Sequence, residues 1–164
     1  MKKTLLILSF ALLFISCSDK KPFHEPFKNE LLAYTQKFEI IKKDEKYLAV
    51  ATYLNPVLKL KQGAKERFIL SSYPKNIDIN LKSLKVNGSD ENLTINKLQK
   101  DDELLKLTNI NLPWSNHYEI IAPEKQSDYL TITYETNHLE KVSLRFLKVS
   151  KSMYWTPRIK LEDK

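Results

Sequence analysis

The chain has 164 residues, of which 42% are hydrophobic and 29% charged, and a formal net charge of +7. It holds one cysteine and two glycines, so an internal disulfide is excluded and so is a glycine-rich phosphate cradle. Its lysines are scattered among acids rather than gathered in a basic block, which speaks against a nucleic-acid partner.

The N-terminus opens with Met1-Lys2-Lys3, continues with an apolar run from Thr4 to Ile15, and reaches Ser16 and Cys17. A charged start, a short apolar stretch and a small residue form a signal peptide. The run is shorter than the roughly 20 apolar residues that a spanning helix needs, so it reads as a signal and not as an anchor. Phe14-Ile15-Ser16-Cys17 resembles the lipobox of bacterial lipoproteins. The resemblance implies cleavage before Cys17 and attachment of diacylglycerol and a further acyl chain, such as palmitate, to that residue. Two or three chains hold a protein on a membrane where one does so only marginally. Ser18 follows the cysteine, and in lipoprotein sorting an aspartate there favours inner-membrane retention, so the outer membrane is the expected destination. Which face of that membrane carries the domain is not legible. Cleavage leaves 148 residues, one domain's worth, and lowers the charge from +7 to +5 as Lys2 and Lys3 leave.

Residues 17 to 30 carry two prolines and no apolar periodicity and read as a lipidated tether; residues 31 to 164 read as the folded domain. Leu31 to Lys43 suits a helix or a strand, with a strand favoured from Thr35. A turn at Lys43 to Lys46 leads into Tyr47 to Leu54, apolar on both faces, and Asn55-Pro56 ends it. Strand-like runs follow at Arg67 to Tyr73, Ile77 to Val86, Leu93 to Leu98, Leu104 to Thr108, His117 to Ala122, Tyr129 to Thr136 and Lys141 to Val149. The period of two is clearest at Leu130, Ile132 and Tyr134, and at Val142, Leu144 and Phe146. Asn87-Gly88 is the one strong signal for a tight primed hairpin. About eight strands with little helix predict an all-β, immunoglobulin-like β-sandwich, stabilised by Tyr, Phe, Leu and Ile packing in place of a disulfide.

The segments Tyr47 to Pro56, Leu84 to Gly88 and Lys141 to Phe146, with Lys151 to Trp155, resemble small epsilonproteobacterial envelope lipoproteins that carry one immunoglobulin-like domain. That resemblance implies a role in binding or adherence.

No catalytic constellation is legible. There is no Gly-x-Ser-x-Gly elbow, and with Cys17 acylated there is no thiol nucleophile. His24, His117 and His138 are far apart and read as surface or turn residues, so no metal site and no cofactor are expected. The acids at Asp90-Glu91 and Asp101-Asp102-Glu103 read as loop-solvating. Asn92, in Asp90-Glu91-Asn92-Leu93-Thr94, lies in an N-glycosylation acceptor pattern with an upstream acid, and is a candidate glycan site. Tyr154, Trp155 and Arg158 form a candidate binding patch, because such residues dominate interface hot spots; the competing and favoured reading has Tyr154 and Trp155 cover an end or edge of the sandwich. Trp114, at a loop-to-strand junction, is expected to anchor the core. Together these readings describe a lipid-anchored, non-enzymatic binding or adhesion module with a protein or glycan ligand. The alternative is an accessory or structural subunit of a periplasmic envelope complex.

Overall fold

In the computed structural model, residues 26–43, 45–108, 110 and 112–150 are described. Cys17, His24 and the patch of Tyr154, Trp155 and Arg158 lie outside them.

Alternating side chains put one face of each strand inward, and the described residues satisfy that pattern with eight strands in two antiparallel sheets. β1 (Thr35–Ile41), β2 (Lys46–Tyr53), β3 (Glu66–Tyr73), β6 (Asn116–Ala122) and β5 (Thr94–Leu98) follow one another across the larger sheet. β4 (Lys85–Val86), β7 (Tyr129–Glu135) and β8 (Lys141–Leu147) form the smaller. The order β2-β3-β6-β5 facing β4-β7-β8 is the constant-type immunoglobulin arrangement, strands ABED against CFG, with β1 as an additional edge strand. The strand from Thr35, the turn into β2, and the alternation along β7 and β8 are all as the sequence predicts. Leu130, Ile132, Tyr134, Val142, Leu144 and Phe146 are each buried. Asn87 and Gly88 both take positive φ, 55° and 83°, and Val86 and Ser89 exchange two backbone hydrogen bonds around them, a two-residue primed hairpin.

The core lies between the sheets. Phe68 of β3 is fully buried, with its ring 5.2 Å from that of Tyr53 and 5.3 Å from that of Phe146 on the opposite sheet. The Tyr47 and Tyr134 hydroxyls, from β2 and β7, meet at 2.7 Å. This buried pair ties the two sheets without a disulfide, and burial pushes the Tyr47 phenol up to about 12, so both rings stay neutral hydrogen-bonding groups at ordinary pH.

Three stretches fold differently from what the sequence predicts. Leu104 to Thr108, read as a strand, is a helix, α2 (Glu103–Thr108), following α1 (Pro26–Ala33) in chain order. Asp102 caps α2 by accepting from the Leu104 N–H at 2.9 Å, and Glu103 places negative charge in the first turn. Tertiary packing completes the preference: the outer face of the larger sheet carries Ile69 and Leu98, and α2 lays Leu105 over them. The Ile77 to Val86 run is broken, with an Ile79–Thr136 bridge, a 3-10 turn at Leu81–Ser83 capped by Asn80, and only two residues left for β4. α1 begins at Pro26, inside the stretch read as tether. Proline suits the first position of a helix, where its missing N–H is not needed, and α1 buries Leu31 against the domain.

Candidate functional site

Two clefts of similar size open on the domain. One, of roughly 850 Å³, runs beside Tyr53, Asn55, Glu66 and Lys148. Its carboxylate, Glu66, is 1% exposed, and it accepts from the Tyr53 hydroxyl at 2.7 Å and the Lys125 N–H at 3.1 Å, with the Lys148 ammonium at 2.5 Å. Its charge is thus fully answered from within the protein, which makes Glu66 a fastening between strands and loops.

The other cleft, of roughly 810 Å³, is built differently. It lies where β5 ends, between α2 and the loop that enters β6. Leu98, Leu105 and Ile110 supply an apolar floor, while Lys75, Lys97, Lys100 and Lys106 stand around it with Asp101 as the acid among them. Lys97 is engaged with Asp78 at 3.9 Å and over the Tyr118 ring at 5.6 Å. Lys75, Lys100 and Lys106 are exposed and make no ion pair among the described residues. The cleft therefore carries uncompensated positive charge.

Trp114 lines this groove and is 73% exposed, which overturns the expectation that it anchors the core. The reason lies in how the loop is held: the Trp114 backbone takes φ 58°, and its carbonyl accepts from the Lys75 N–H at 3.0 Å, so the loop turns the indole outward. The same loop is pinned a second time by the Asn116 side-chain amide, which donates to the Lys75 carbonyl at 3.1 Å. It is pinned a third time by His117, whose Nδ1 lies 2.7 Å from Ser71 Oγ. His117 is thus no surface residue: it is 8% exposed, drawn inward because β6 needs an outer-face partner for Ser71 of β3. Ser71 is fully buried, so this pair fixes the loop and presents no nucleophile. Beside Trp114, Ser115 is a lining residue whose Oγ is buried beneath the groove surface and has no hydrogen-bond partner among the described residues. An exposed tryptophan held in place by its backbone is the kind of side chain enriched at interface hot spots.

Burial holds the His117 imidazole below its ordinary value of 6.5; the Leu112 backbone opposes this and the Lys75 ammonium adds to it. The unfolded chain therefore takes up this proton at a higher pH than the folded one. The contribution to stability is complete above the unfolded value and is lost as pH falls through the window beneath it. Melting temperature should accordingly drop on acidification from about pH 7 to about pH 5 more steeply in the natural protein than in His117→Gln. Parallel curves for the two would show that His117 does not hold the loop in its neutral form.

Apart from Asp101, which lies among the groove lysines, the remaining sequence candidates lie away from the groove. Asn92 is exposed in a turn at φ 54°, at the opposite end of β5. His138 is exposed in the β7–β8 turn and pairs with Glu45. Asp90, Glu91, Asp101 and Glu103 are exposed, as expected of loop acids, and Asp102 is spent on the α2 cap. Among the described residues no cluster of three His, Cys, Asp or Glu is placed to hold a metal ion, and no helix is long and apolar enough to cross a membrane. Comparison with protein-family models, with curated proteins and with solved structures gave no match. The groove therefore has to be read from its own chemistry.

Proposed function

We propose that the chain is an envelope lipoprotein, anchored through Cys17 to the outer membrane, whose sandwich domain works as a non-enzymatic binding module. The observation that carries the binding role is Trp114, exposed and held outward by a loop bonded to the neighbouring Lys75 backbone. An aromatic ring in water costs apolar exposure, and a loop that fixes it there lowers the entropy a ligand would have to overcome. The anchor rests on the signal-like start and on the lipobox resemblance of Phe14 to Cys17.

Both halves can be tested in cells carrying a C-terminal epitope. Labelled palmitate should enter the natural protein and not Cys17→Ser, which should also leave the membrane fraction. Protease added to intact cells, with a periplasmic control surviving, should remove the domain if it serves adhesion. Protection until the outer membrane is opened would overturn the adhesive role and direct the groove towards periplasmic ligands.

A further inference from the structure

We infer that the Trp114 groove recognises an acidic oligosaccharide, its ring packing on the indole and its anionic groups pairing with Lys75, Lys100 and Lys106. This deepens the binding-module reading and rests on it. Three features point to that chemistry. The indole offers a flat apolar surface, suited to the C–H face of a pyranose ring. The three exposed lysines have no acidic partner among the described residues, so an anion entering the groove meets charge that the protein has not used. Gln99, exposed at the groove wall, supplies polar atoms for the hydroxyl groups of a ligand.

The distribution of groups favours a sugar over single-stranded nucleic acid, which also combines cations with stacking. A strand-tracking site uses successive aromatic rings, one per base, whereas this groove presents the single indole of Trp114 and three separated point charges. It lacks arginine, the side chain that forks onto phosphate. Spaced carboxylates or sulfates on a carbohydrate match lone ammonium groups better than a continuous phosphate backbone does.

The test uses the mature chain with Cys17→Ser, so that no lipid interferes, and with Trp155→Phe, so that Trp114 is the remaining tryptophan and can be excited selectively at the red edge of the absorption band, away from the tyrosines. Its emission is followed while an oligogalacturonate hexamer, a heparin-derived hexasaccharide, neutral cellohexaose or a thymidine hexanucleotide is added. At least one acidic sugar should shift the emission saturably, with affinity falling as salt rises, while cellohexaose binds at least about tenfold more weakly. Trp114→Ala, read by calorimetry, should weaken the acidic sugar about tenfold. The pair Lys100→Gln and Lys106→Gln should weaken it about fivefold and flatten the salt dependence, with an unchanged melting temperature. Equal binding of cellohexaose, or tighter binding of the hexanucleotide, would overturn the acidic-sugar inference while leaving the groove as a binding site. Silence towards every probe, with Trp114→Ala indistinguishable from its parent, would overturn both.

Discussion

Phe68→Ala is expected to lower the unfolding free energy by about 3–5 kcal/mol, seen as a fall in the urea midpoint at unchanged slope. Phe68 is fully buried at the centre of β3, and its ring touches Tyr53 within its own sheet and Phe146 across the sandwich. Truncation loses the transfer free energy of the ring and also leaves a cavity between two sheets that cannot both collapse into it. A domain of this size has of the order of 5–15 kcal/mol in total, and here no disulfide limits the unfolded chain, so the variant should approach the edge of folding. Phe68→Leu, which refills much of the space, should retain most of the lost stability. A cost below about 1 kcal/mol for the alanine variant would mean that the sheets pack independently of this ring.

A loss of similar size, about 3–5 kcal/mol, is expected for Glu66→Ala. The carboxylate sits at the first residue of β3, buried, and joins Tyr53 at the end of β2 to the Lys125 backbone beyond β6 and to Lys148 beyond β8. Removing it strands a phenol and an N–H and leaves the charge of a largely enclosed ammonium, still bonded to the Lys125 carbonyl, without a counter-ion, and each unpaired buried donor costs free energy that its hydrogen bond had offset. The phenol is held well above its ordinary pKa by burial first and by its bond to Glu66 second, and the burial remains when Glu66 is removed, so ionisation does not relieve the defect. Adding Lys148→Met to Glu66→Gln should recover part of the loss, because that pair of changes leaves no uncompensated charge. Chemical denaturation of the four proteins in this cycle measures the coupling; additive effects would show that Glu66 and Lys148 do not act as a pair.

These two sites stand at different distances from what a sequence displays. Phe68 belongs to a run, Arg67 to Tyr73, whose strand character is plain, and its burial fits a central strand covered on both faces, with Phe68 to Ser72 all buried. Glu66 carries no such mark. Its partners come from three other segments, the farthest more than eighty positions away, and only the docking of β8 beside the β2–β3 end brings Lys148 to it.

The groove shows the same division. Lys100 and Lys106 are visible as lysines near a turn, but their convergence with Lys75 depends on α2, and α2 depends on the apolar outer face of β3 and β5. Two cues could have revealed that helix in advance: Asp102 as an N-cap and Glu103 in the first turn. Trp114 offered none. A tryptophan near a strand normally supplies core, and its outward position follows from a positive φ and a hydrogen bond to Lys75, a residue from another loop.

What the sequence determined by itself is whatever neighbours along the chain decide. The period-two strands, the Asn87-Gly88 hairpin and the charged, apolar, cysteine-ended start are all of this kind, because backbone geometry and local side-chain chemistry act over a few residues. Tertiary structure alone decided which polar groups meet and which large side chains face water. The Ser71–His117 pin, the Tyr47–Tyr134 tie, the enclosed Glu66 and the exposed Trp114 each depend on residues distant along the chain, and their energies exist only once the strands have paired and the loops and sheets have packed.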